Sequence, residues 1–101
     1  VTASLTCRRV GLLADGPVYL WETAEGATGN IRMESDGSVA RPCTPEGTPL
    51  GATFLDRRRG RVENPDPDPG LRRAFLIVAS VLFQEWERQG RLPDTVTRTF
   101  W

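Results

Sequence analysis

Ala74-Phe75-Leu76-Ile77-Val78-Ala79-Ser80-Val81-Leu82-Phe83 carries no charged side chain, although Arg72-Arg73 precede it and Gln84-Glu85 follow it. Wound at about 100° per residue, such a run covers every face of a helix rather than one stripe. A helix of that kind must be enclosed by its own sheet, by a partner or by lipid. At about 1.5 Å per residue the run extends about 15 Å, half of a bilayer core of about 30 Å. The segment therefore predicts a buried core helix and no membrane span.

The flanks set its limits. Asn64-Pro65-Asp66-Pro67-Asp68-Pro69-Gly70 places prolines on alternate positions, which suits neither a central strand nor a helix interior. Residues 65–70 thus predict a stiff connector, with Asp66 and Asp68 favouring the positive end of the helix that follows. The helix is expected over 71–89, stopped by Gly90 in the left-handed conformation. Its last turns, Gln84 to Gln89, are polar apart from Trp86 and should emerge into solvent. Residues 91–101 are Thr-rich and alternating, which predicts an edge strand or an arm laid on the sheet.

Residues 1–64 have the texture of short strands broken by turns. Leu5–Leu13 is a first strand, closed by Asp15-Gly16-Pro17. Val18-Tyr19-Leu20-Trp21-Glu22-Thr23 is β-branched and aromatic, with turn signals on both sides. Asn30-Ile31-Arg32-Met33-Glu34 alternates, so Ile31 and Met33 should share a buried face while Arg32 and Glu34 meet water. Asp36-Gly37 carries the signal of a type I′ hairpin leading into Ser38–Arg41. Leu50–Leu55 resumes a strand, and the basic turn Arg57-Arg58-Arg59-Gly60-Arg61 follows. The expected class is α+β: a curved antiparallel sheet of about five or six strands packed around one C-terminal apolar helix.

The 101 residues make a single domain. Thirteen basic and thirteen acidic residues cancel, so no global field draws the chain to nucleic acid or to anionic membrane. Zero net charge also weakens repulsion between copies. Every basic residue is Arg, which reads first as coding bias and second as a preference for bidentate anion contacts. Cys7 and Cys43 match no metal spacing; two unpaired thiols are the plainer expectation and a single bridge the alternative. Val1 to Arg9 place their charges after the apolar residues and lack an h-region, so a cytoplasmic protein without a signal peptide is expected.

No histidine is present, which removes the commonest general base, every Ser–His or Cys–His dyad and His-based zinc sites. Cys43 as a nucleophile would need activation by an Arg or a helix N-terminus. Carboxylate pairs such as Glu22/Glu25 and Asp66/Asp68 read as solvated turn and capping residues. No catalytic residue, cofactor or metal is expected. Trp21, Trp86 and Trp101 could form a stacking platform but read first as packing.

The sharpest candidate is the basic turn. Arg57, Arg58, Arg59 and Arg61 would make a bidentate trap for the phosphate of a lipid headgroup or a small anion. Asp56, Glu63, Asp66 and Asp68 balance that charge nearby, and the lack of interleaved aromatics argues against nucleic acid. The expected function is a small non-enzymatic binding protein; a protein-interaction or homo-oligomeric module is the alternative. Because the strands cover one side of the helix, a flank with Phe75, Val78, Leu82 and Trp86, joined by Trp101, is expected to meet a second copy in a homodimer.

Pro67-Asp68-Pro69-Gly70-Leu71-Arg72-Arg73, running into residues 74–83, resembles the closing segment of the tubby C-terminal-like group, which includes the phospholipid scramblases and the LURP-one-related proteins. The turns Asp36-Gly37, Glu46-Gly47 and Leu50-Gly51 are similar to that family's hairpins. The resemblance implies a helix threaded through a closed β-barrel, no shared catalytic residues, and headgroup binding, carried here by Arg57, Arg58, Arg59 and Arg61. That barrel takes roughly twice the strands this chain has room for. In the family the helix usually ends the chain, whereas Arg91 to Trp101 continue here.

Overall fold

Alternating side chains give each N-terminal segment one face to bury, and short turns let each pair with the next. The computed structural model describes residues 3–13 and 16–100. Its elements are β1 (Ala3–Leu13), β2 (Gly16–Thr23), β3 (Thr28–Met33), β4 (Val39–Cys43), β5 (Phe54–Asp56), β6 (Arg61–Glu63), α1 (Pro69–Gln89) and β7 (Thr95–Phe100). They form one open sheet in the order β6-β5-β4-β3-β2-β1-β7, antiparallel throughout. The chain meanders from β1 to β6, then α1 carries it across one face to the far side of β1. The α+β class stands, with seven strands.

The additions are instructive. β6 holds Val62 as its single apolar residue, so no period announces it. The tail resolves as strand β7, which pairs Thr95–Phe100 with Ala3–Arg8. The strand expected from Leu50 begins only at Phe54, because Gly51 and Ala52 turn. At Asp36-Gly37 only the glycine has positive φ, +72°, whereas a type I′ turn needs it at both central residues. The loop is longer instead: Glu34 N donates to Val39 O at 2.9 Å, and Gly37 N to Glu34 O at 2.9 Å. Asp36 Oδ1 fixes it by accepting from Ser38 N at 3.0 Å and Ser38 Oγ at 2.5 Å.

The register places Leu5, Cys7, Tyr19, Trp21, Ile31, Met33, Ala40, Leu55 and Val96 toward the helix. They close on Phe75, Val78, Ala79, Val81, Leu82 and Phe83. Tyr19, wholly buried, donates its hydroxyl to Pro93 O at 2.5 Å and so anchors the segment between α1 and β7. Cys7 pairs with Trp21 and Cys43 with Asn30. That register sets the thiols on opposite faces of the sheet, and both are free.

The helix is covered on one side only. Leu76 is 41% exposed, Gln84 is exposed, and between them Ser80 Oγ donates to Leu76 O at 2.7 Å. Within the chain, then, the open sheet encloses one apolar face of the helix, and Ser80 and Gln84 mark the other. The expected dimer flank changes with it. Val78 and Leu82 are consumed by the chain's own core, which leaves them no surface for a second copy, and Phe75 keeps only 6% of its surface. Trp86 is half-buried against the Asp36-Gly37 loop, where a Cβ on Gly37 would lie 2.5 Å from the indole. Trp101 lies outside the described residues.

Both helix ends follow the sequence. Asp68 caps the start, its Oδ1 accepting from Gly70 N at 2.8 Å and Leu71 N at 3.3 Å. Gly90, at φ +74°, closes the end by donating to Trp86 O at 2.8 Å. The last turns do not simply emerge into water, however. Glu85 is 2% exposed. It accepts from Arg98 of β7, from Arg88 Nη2 at 2.6 Å and from Gln89 Nε2 at 2.5 Å.

Those donors, Arg98 first and then Arg88, hold the Glu85 carboxyl down at about 2. The unfolded chain therefore binds this proton more readily than the folded one. The resulting stabilisation is complete above pH 4.5 and is lost as the pH falls toward about 2. Glu85→Gln should flatten the acid limb of a Tm-against-pH curve in that window. An acid limb unchanged by the substitution would show that Glu85 does not supply it.

Candidate functional site

The basic turn does not converge on one point. Arg57 Nε donates to Gly37 O at 3.0 Å, and its Nη1 lies 3.7 Å from Glu87 on the helix. Arg59 and Arg61 both turn to Glu63, at 3.9 and 2.9 Å. Arg58 donates its backbone N–H to Asp56 Oδ1 at 2.8 Å while its side chain stays exposed. The Gly37 carbonyl and Glu87 thus draw Arg57 away from Arg59 and Arg61, which share the Glu63 carboxylate.

One of the four, Arg61, borders a trough that the turn does not form alone. Arg61, Val62 and Pro65 make one bank; Pro69, Arg72, Arg73 and Leu76 of α1 make the other, around about 510 Å³. Among the described residues no acid lies within ion-pair distance of Arg72 or Arg73. Both stand in the opening turns of α1, which hold no acidic residue in the first turn. Asp68 already occupies the first N–H groups of the helix, so an anion in the trough would meet the two guanidiniums rather than the helix end. Leu71, 52% exposed, and Leu76 lie beside this charge.

Arg72 and Val62 also border a second hollow on the other side. This cleft, about 340 Å³, opens between the first turns of α1, the ends of β2–β4 and the loop over residues 44–53. Trp21, Leu50, Val62, Leu71 and Phe75 supply its apolar wall. A Cβ at Gly29 would come 2.5 Å from the Trp21 ring, so the indole lies against bare strand backbone. Two of the chain's exposed large apolar side chains, Leu50 and Leu71, stand at this cleft. Trp86 sits toward the opposite end of the helix, so it forms no platform with Trp21.

Burial pushes the Cys7 thiol up to about 12 and the Cys43 thiol up to about 11, so neither is a thiolate at neutral pH. The Tyr19 hydroxyl is likewise raised by burial. Among the described residues no group of three or more His, Cys, Asp or Glu side chains is placed to hold a metal ion, and no helix is long and apolar enough to cross a membrane. The chain matches no family model, no curated protein and no solved structure. Its site must be read from its own residues.

Sequence reasoning passed over Arg72 and Arg73 as a lead-in to the helix. The signal was present, because a basic pair at a helix N-terminus runs against the dipole. The cleft had no such signal. Trp21, Leu50, Val62 and Phe75 are scattered along the chain and meet only through the sheet register.

Proposed function

We propose that this chain is a non-enzymatic binding protein that docks phosphate-bearing headgroups of an anionic surface against the first turns of α1. The observation that carries this reading is the trough itself, where Arg61, Arg72 and Arg73 ring an apolar floor with exposed Leu71 and Leu76 beside them. Guanidiniums engage phosphate oxygens bidentately, and the leucines supply apolar contact at the same face. Each Arg near an anionic surface contributes about 1 kcal/mol. Arg58, on the same basic turn, adds charge without contributing to the trough.

Co-sedimentation with phosphatidylcholine vesicles, with and without phosphatidylglycerol, tests it. Binding should require the anionic lipid and weaken with salt. Arg72→Glu/Arg73→Glu should reduce it by about 30-fold or more, with a Tm that is not lowered, because acids suit the helix N-terminus better than cations. Arg58→Glu/Arg59→Glu should have the smaller effect. Equal binding to both vesicle types, or no loss in the Arg72/Arg73 variant, overturns the reading.

A further inference from the structure

The cleft on the other flank of Arg72 has a different character from the trough. Its volume, about 340 Å³, lies in the range of small-molecule sites, which run from about 300 to 1,000 Å³. Several polar groups along its wall already have partners. Asn30 Nδ2 donates to Tyr19 O at 3.3 Å, and Thr53 Oγ1 donates to Asn64 O at 2.6 Å. At the rim Asp66 Oδ1 accepts from Asp68 N at 2.8 Å. A polar guest would give up its hydrogen bonds to water on entering and gain few in return.

An apolar guest meets Trp21, Leu50, Val62, Leu71 and Phe75. The rim adds one cation, Arg72, which has no ion-pair partner among the described residues. The rim also carries the Asp66 carboxylate, turned onto Asp68 N at 2.8 Å, so the guest that suits this wall is an apolar body whose one acidic end reaches Arg72 and stays clear of Asp66.

We propose that the cleft takes one unbranched alkyl chain bearing a carboxylate or similar acid, its chain against Trp21 and Phe75 and its acid on Arg72. The inference rests on the headgroup reading only through Arg72, which borders both hollows. The acid on Arg72 has two sources: the carboxylate of a free fatty acid, or the phosphate of a bilayer phospholipid, whose acyl carboxyl is esterified and whose chain alone would enter the cleft.

Calorimetric titration of the protein with decanoate and decyltrimethylammonium below their micelle concentrations, and with decanol below its solubility limit, tests the proposal. Decanoate should bind at one molecule per chain, with decanol weaker by about tenfold or more because it lacks the charge-assisted contact. Decyltrimethylammonium should bind weakest. Leu50→Asp alters an exposed loop residue that does not border the trough. It should abolish decanoate binding while leaving vesicle binding intact, and Arg73→Glu should do the reverse.

No decanoate binding, binding unaffected by Leu50→Asp, or equal affinity for the cationic chain would each overturn the assignment. Vesicle binding without decanoate binding leaves the surface reading standing and removes only the cleft ligand. Decanoate binding without vesicle binding identifies the free acid as the source. Competition between decanoate and vesicles, lost in Leu50→Asp, identifies the bilayer chain.

Discussion

Leu82→Ala should destabilise the protein by about 2–5 kcal/mol, lowering Tm by about 10 °C or more, while Leu76→Ala should change stability by about 1 kcal/mol or less. The two leucines lie on the same apolar run, six positions apart in the sequence. Leu82 is fully buried between helix and sheet, whereas Leu76 keeps 41% of its surface in water. Truncating the first removes buried methyl groups and leaves a cavity; truncating the second removes a side chain at the surface and leaves no enclosed void. Thermal melts of the two variants decide it. Equal losses would mean that α1 is enclosed on both sides, in the monomer or by a second copy.

Gly16→Ala should be about as damaging, for a backbone reason. Gly16 has φ +147°, and a Cβ there would lie 1.9 Å from Met33 O and 2.8 Å from Ser35 N. Those are main-chain atoms at the end of β3, which cannot step aside without disturbing the sheet. A strained backbone alone costs about 1–3 kcal/mol, and the clash adds to it, so a loss of at least about 3 kcal/mol is expected. Gly51→Ala provides the control: φ is +68° but nothing lies within 4 Å of the added carbon, so only the strain remains. Urea midpoints of the two variants should differ clearly. Matching midpoints would show that β3 yields to the added carbon.

The elements most legible in the sequence were those with a local cause. The Asp68 cap, the Gly90 stop and the paired burial of Ile31 and Met33 follow from chemistry within a few residues. What the sequence concealed arises between distant elements. The exposure of Leu76 depends on an open sheet, and the burial of Glu85 depends on Arg98 of β7 reaching it. Sequence proximity also overstated the arginine turn. Four guanidiniums close together in sequence suggested a single trap, but Gly37, Glu63 and Glu87 compete for them. Adjacent residues share a neighbourhood only if their side chains turn the same way.

The route of α1 across the sheet has a mechanical consequence. One end is tethered to β6 and the other to β7, the two outermost strands, and Arg98 fastens the far end to Glu85. The helix is a fixed jamb that cannot swing away unless a margin of the sheet tears. The opposing wall, the loop over residues 44–53, is tied down as well: Leu50 N donates to Pro42 O at 2.9 Å, Arg32 Nη1 to Gly47 O at 3.3 Å and Thr53 Oγ1 to Asn64 O at 2.6 Å. With both walls tied back to the sheet, the opening between Leu50 and Leu71 keeps the width that the strands set.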